Sequence, residues 1–313
     1  MNLIILKTPL QNNKIPLFDL HCDTLLELYN TKQNINDNSL HISLNKAPAF
    51  SPYMQISAIW SEYSLSNELA FDKYIKVKSY IEKQNINFAT KFSDLKENSF
   101  ILAVEDARLL NGQISRLDIL YQDGVRFLTL NWKDESIIGG AWNTNKGLTP
   151  FGKDTVKKCL DLGITVDISH SSERTSYEAI ELSLAKNKPL IASHSNSYTV
   201  CKHKRNLTDE LFNEFVKMRS LVGISLSCEH LTISGMASIS TILKHIYHYL
   251  SLSGESVVAL GCDFDGVSSL PYEILSIKDI RALYFEIEKE FGTIIAKKIF
   301  FDNAYSFMQR NFN

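Results

Sequence analysis

The sequence predicts a (β/α)8 barrel of the TIM type, folded as a single domain over residues 1–313. Three observations point there. Eight short apolar runs of strand length recur along the chain, helical patterns lie beside several of them, and the polar side chains able to do chemistry fall just past the ends of the runs. An open doubly wound sheet is the alternative. It would carry its ligand at a strand-order switch, and no Gly-rich phosphate turn supports it.

The runs are Ile15–Leu20, Met54–Trp60, Phe100–Val104, Gly124–Leu130, Ile164–Ile168, Pro189–Ala192, Leu221–Leu226 and Val257–Gly261. The stretch Thr155–Leu162 has helical spacing and ends at Gly163, a helix stop. Ser172–Ala185 follows the fifth run with Glu173 in its first turn, and Ser238–Ser251 precedes the eighth. Asn30–Asn38, rich in Asn, Thr and Lys, reads as a loop. No repeat, low-complexity tract or Pro/Gly-rich linker divides the chain.

Composition narrows the function classes. With 44% hydrophobic and 22% charged residues, the chain can bury a sizeable core. A formal charge of -2 and a pI of about 6.5 give no electrostatic case for nucleic acid or an anionic membrane. Lys202, Lys204 and Arg205 form a local basic cluster, which taken alone reads as a solvated loop. Five cysteines, an odd number with no C-x-x-C, fit a reducing compartment rather than a disulfide framework. The start, MNLIILKTPLQNNK, has only a four-residue apolar run, and no stretch approaches the roughly 20 apolar residues of a membrane span. The expected location is cytoplasmic. The sequence is nearly silent on assembly, where a homodimer is the default.

His21 and Asp23 follow the first run, Glu105 the third, His170 the fifth, His194 the sixth and Asp263 the eighth. In a barrel all of these lie at the C-terminal mouth, where such folds build their sites. His21 and Asp23 are two apart, so an extended chain points both the same way. Three imidazoles and two carboxylates form a mixed donor set suited to zinc, with manganese or cobalt as alternatives. Five donors exceed one tetrahedral ion and suit two ions about 4 Å apart that share a carboxylate and a hydroxide. Asp263 is then available as general base. Each residue alone has a plainer reading. A single His at a strand end is usually a hydrogen-bonded structural group, and an Asp before a helix is commonly an N-cap, more so for Asp106 than for Asp23. His41, His203, His245 and His248 lack the strand-end placement and read as structural or exposed. Cys22 and Cys262 flank the candidate groups and read as small core residues. Ser169 and Ser193 precede His170 and His194, but adjacency makes no dyad, and no G-x-S-x-G elbow exists.

Several segments together resemble the membrane (renal) dipeptidase family of zinc peptidases. They are Phe18-Asp-Leu-His-Cys-Asp, Val104-Glu-Asp, Gly124-Val-Arg-Phe-Leu-Thr-Leu, Gly147-Leu-Thr-Pro-Phe-Gly, Val166-Asp-Ile-Ser-His-Ser-Ser, Ile191-Ala-Ser-His-Ser, Lys204-Arg-Asn and Gly261-Cys-Asp-Phe-Asp-Gly. The resemblance runs from Phe18 to about Asn303. It implies a (β/α)8 barrel with two zinc ions, one held by His21 and Asp23, the other by His170 and His194, with Glu105 bridging. It also implies that Asp263 handles the proton of the metal-bound water and that Arg205 binds the free carboxylate of the substrate. A guanidinium fork suits that task. Relatives of the kidney enzyme carry a His after strand four to hold the developing oxyanion. Here Leu130-Asn-Trp-Lys-Asp places Trp132 there, which has one N–H and no positive charge. By this resemblance the chain is a soluble microbial-type dipeptidase, without the leader and lipid-anchor tail of the animal enzymes. It would hydrolyse free dipeptides through a hydroxide bridging two metals. Two alternatives stand beside it: a binuclear amidohydrolase of a non-peptide amide, lactone or cyclic imide, and a barrel that binds a metal or small ligand without turnover.

Overall fold

The computed structural model describes residues 14–312. The opening segment inspected for targeting signals lies, as far as residue 13, outside the described residues. Eight parallel strands close into a barrel: β1 (Ile15–Cys22), β2 (Phe50–Ile59), β3 (Ser99–Glu105), β4 (Val125–Thr129), β5 (Thr165–Asp167), β6 (Ile191–Ala192), β7 (Leu221–Ile224) and β8 (Val258–Leu260). Each pairs with the next, and β8 returns to β1 through Asp19 and Leu260. A two-residue strand, Asn87–Phe88, adds to β3. Every predicted run overlaps one barrel strand.

The main helix that follows each strand is, in order, α1 (Thr24–Thr31), α2 (Asn67–Ile81), α3 (Arg116–Gln122), α4 (Pro150–Leu162), α5 (Glu173–Ala185), α6 (Asp209–Met218), α7 (Ile239–Ser251), which a helical turn at Cys228–Leu231 precedes, and α8 (Ile280–Phe291). Their starts and stops follow from local chemistry. The side chains of Thr149, Ser172, Thr208 and Ser238 each accept a backbone N–H of the first turn, and α4 begins with Pro150. Gly163 ends α4 in the left-handed region, as its position after the helical pattern predicts.

Two apolar layers result. Leu17, Val104, Leu128, Val166 and Ile224 belong to the layer between strands and helices. Phe18, Leu20, Ile56, Ile101 and Phe127 belong to a separate interior cluster, joined by Phe307, Met308 and Phe312 of the C-terminal helical segment. The strands are buried on both faces, which is why they read as continuous apolar runs. In β1 the pairing with β2 slips between Asp19 and Cys22, where three steps on one strand match two on the other. This bulge resets the alternation set by Phe18 and Leu20, so that His21 also turns inward. Near the mouth β6, β7 and β8 approach closely. A β-carbon at Gly223 or Gly261 would lie 1.8 or 1.7 Å from the Ser193 carbonyl oxygen, so only glycine fits at either place.

Candidate metal centre

The strand ends bring His21, Asp23, Glu105, His170, His194 and Asp263 together in the mouth, each at most about a tenth exposed. Asp23, Glu105, His170, Asp263 and Arg205 line one cavity of about 560 Å³. The six residues expected from strand ends therefore share one place. His170 and Asp263 both have left-handed backbone, with φ of 68° and 62°. The conformation is uncommon for a side chain bearing a β-carbon and is held by its neighbours. Trp142 N–H donates to the His170 carbonyl at 2.8 Å, and Asp263 N–H donates to the His21 carbonyl at 3.0 Å.

Hydrogen bonding fixes which nitrogen of each histidine is free. His170 Nδ1 donates to the Trp132 carbonyl at 3.0 Å. The Ser193 hydroxyl lies 2.5 Å from Asp167 Oδ2, 2.8 Å from His194 Nδ1 and 3.4 Å from His21 Nδ1. Its one proton goes to the carboxylate, so both imidazoles donate to the hydroxyl oxygen. With the rings neutral, all three Nε2 atoms are left as lone pairs turned toward the carboxylates of the cluster. His170 Nε2 and His194 Nε2 stand 2.9 Å apart with no proton to place between them. His21 Nε2 is buried without a hydrogen-bond partner, at 3.6 Å from Asp23, 3.8 Å from Glu105 and 3.9 Å from Asp263. Buried lone pairs facing one another beside three carboxylates fit a cation. Two overlapping triads have donor atoms within 4.8 Å of one another, His21–Glu105–His194 and His21–Asp23–Asp263. His170 adds a contact of 2.9 Å to Glu105 Oε1.

The electrostatics agree. Burial holds the His170 and His194 imidazoles well below their usual range, reinforced by Arg205 and His21. Burial also lowers His21, but Glu105, Asp23 and Asp263 outweigh it and raise it to about 10, so a positive charge is wanted at that point. Burial, with Asp23 and Glu105 alongside, pushes the Asp263 carboxyl well above the usual carboxylate range. Burial brings the Arg205 guanidinium down to about 10, and its Nε and Nη2 have no partner.

Other residues fall where sequence reasoning did not put them. The basic cluster is split, with Lys202 and Lys204 exposed and Arg205 buried. His203, expected to be structural or exposed, instead lines the cavity with His230, which stands on a single helical turn, Cys228–Leu231. His41 and His245 are structural. His41 bonds Asp265 through backbone and ring, and His245 spans Ser197 N–H and the Leu231 carbonyl. Asp106 is the N-cap of a short 3-10 turn and pairs with Arg108 at 3.0 Å. Asp23 makes no cap hydrogen bond, and its carboxylate faces the cavity. Cys22 bonds Ser57 away from the site. Ser193, Asp167 and Asp19 were missed as orienting groups. Asp19 and Asp167 sit two residues before His21 and Ser169 and accept their backbone N–H groups at 3.2 and 2.9 Å.

A closed parallel barrel with imidazoles and carboxylates converging at its C-terminal mouth defines a metal-dependent barrel hydrolase. Residues 9–310 match the membrane dipeptidase family, peptidase family M19, and the chain belongs to that family. It is thereby a metal-dependent hydrolase acting on peptide bonds. An uncharacterised protein in the pqqA 5′ region of Klebsiella pneumoniae is 26% identical over 240 residues, 73% of this chain and 86% of that one. Among solved structures, dipeptidase AC, a metallopeptidase of family M19, is 23% identical with a TM-score of 0.87, over 96% of this chain and 99% of that one. A metallopeptidase from Rhodobacter sphaeroides, bound to a phosphinate mimic of the dipeptide L-Ala-D-Ala, is 22% identical with a TM-score of 0.87, over 96% and 100%. At these identities the likeness shows the fold. No helix among the described residues is long and apolar enough to cross a membrane.

Proposed function

We propose that the chain hydrolyses the peptide bond of free dipeptides at a centre for two divalent ions, zinc by the chemistry of its donors. The observation that carries this is the posture of Glu105. Its Oε1 faces His170 at 2.9 Å and His194 at 3.6 Å, while its Oε2 faces His21 at 3.8 Å. One carboxylate thus addresses two halves of the cluster. In this reading His21 and Asp23 hold one ion, His170 and His194 the other, and Glu105 bridges. Bound there, the ions would supply a Lewis acid and a water ionised near neutral pH.

The remaining work falls to side chains. Asp263, raised by burial, takes a proton on its carboxylate and returns it to the leaving amine. Arg205, buried and unpaired, clamps the substrate's C-terminal carboxylate and so limits substrate length. Trp132 offers an indole N–H but no positive charge, so stabilisation of the oxyanion comes from elsewhere in the mouth. The dipeptide mimic held by the Rhodobacter sphaeroides relative supports the substrate class. Zinc-loaded protein should release amino acids from a panel of dipeptides and contain two ions per chain. Two bound ions with no turnover of any dipeptide would refute the reading.

A further inference from the structure

The chain has three tryptophans, and all of them, Trp60, Trp132 and Trp142, line the cavity that holds the donor cluster. They stand on two walls. Trp60 follows β2 and Trp132 follows β4. Their ring centroids are 4.9 Å apart, and Tyr63 lies 5.9 Å from Trp132. The Trp132 ring reaches the donor cluster at His170, 6.2 Å away. Trp142 belongs to the other wall, 5.5 Å from His203, which accepts the Arg205 backbone N–H at 3.2 Å. The Trp60 indole N–H is buried with no acceptor. The ring is therefore held by packing, and what it presents is an apolar face. Behind this wall Arg108 lies 5.3 Å from the Tyr63 ring, but its charge is matched by Asp106 at 3.0 Å.

We propose that the Trp60–Trp132 wall, extended by Tyr63, is the subsite for the side chain of the N-terminal residue, and that the enzyme selects dipeptides in which that side chain is large and apolar, aromatic above all. The inference rests on the dipeptidase reading. With the carboxylate of a dipeptide on Arg205 and its scissile carbonyl at the cluster, the C-terminal side chain lies by Trp142 and His203. The N-terminal side chain then extends across the cluster to the wall of Trp60 and Trp132. An aromatic side chain there gains both buried area and tilted ring contacts, whereas glycine leaves the wall wet.

The test compares Phe-Gly, Leu-Gly, Lys-Gly and Gly-Gly in two ways. One is kcat/KM on the zinc-loaded protein. The other is tryptophan emission of chelator-treated protein, which reports cavity occupancy without turnover because every tryptophan lines the cavity. Phe-Gly should exceed Gly-Gly by on the order of tenfold in kcat/KM and perturb emission at a concentration lower by about the same factor. Trp60→Ala should bring that ratio towards one. Trp60→Phe, which also covers a failure of the alanine variant to fold, should keep most of it. Equal values for Phe-Gly and Gly-Gly, or a preference for Lys-Gly, would overturn the assignment while leaving the dipeptidase reading intact. If no dipeptide is cleaved but Phe-Gly still shifts emission ahead of Gly-Gly, the wall stands and the hydrolytic reading fails.

Discussion

Replacing Ser193 with alanine isolates the group that orients two histidines at once. The hydroxyl gives its proton to Asp167 at 2.5 Å and accepts from His194 at 2.8 Å and His21 at 3.4 Å. Alanine removes one charge-assisted bond and strands the buried Nδ1–H groups of His194 and His21, with Asp167 Oδ2 keeping only the Thr129 hydroxyl. A bond to a charged group contributes about 1.5–3 kcal/mol and an orphaned buried donor costs about 1–3 kcal/mol, so a loss of about 2–4 kcal/mol is expected once partial relaxation is allowed. Zinc affinity should fall roughly 10- to 100-fold, as when a ligand histidine loses its outer partner. Urea unfolding in chelator reads the first quantity and a zinc competition titration the second. Ser43→Ala is the control, because the Ser43 hydroxyl is buried with no partner and its loss should leave zinc affinity unchanged and stability no lower. If Ser193→Ala matches Ser43→Ala in both assays, the orienting role is wrong.

Three further outcomes are expected. Asp263→Asn should keep its zinc content by metal analysis yet lose about 10²- to 10⁴-fold in dipeptide turnover, and loss of zinc instead would make Asp263 a ligand rather than a proton carrier. Arg205→Met should raise the unfolding free energy of the ligand-free protein, and with it the urea midpoint, by on the order of 1–3 kcal/mol in free energy, while raising KM for dipeptides. A lower midpoint would show that the buried guanidinium stabilises the fold. Zinc at about 100 times its Kd should add about 2.7 kcal/mol per ion bound to the chelator-treated protein, and a calorimetric Tm that ignores zinc would remove the case for a metal centre.

The barrel was legible because its strands are buried on both faces, so each appears as an unbroken apolar run. The candidate centre was legible because a parallel barrel collects whatever follows its strands at one end. Phase within a strand was not legible. Continuing the alternation of Phe18 and Leu20 would have turned His21 outward, and the slip between Asp19 and Cys22 that corrects this has no marker residue. Loop folding was not legible either. His203 reaches the cavity, and Lys204 and Arg205 part company, through the path of a long segment without period. The partners of Ser193 depend on where one hydroxyl proton goes, which only three-dimensional placement decides. Trp60 stood at the end of the second run, the position that marked the other site residues, but an indole is not a donor type that a metal reading seeks.

The narrow fit of Gly223 and Gly261 around the Ser193 carbonyl divides the molecule into a part free to vary and a part that is not. Ser193 stands between β6 and the imidazoles, so a methyl group at either glycine would lift the seat of His21 and His194 along with the backbone. No repacking of side chains absorbs such a shift, because the obstruction is main chain against main chain. The loop bearing Trp60, residues 60–66, contains no glycine and carries no such restraint. Directed evolution of this barrel should therefore recover altered peptide preference from that loop, and only dead enzyme from substitutions at positions 223 and 261.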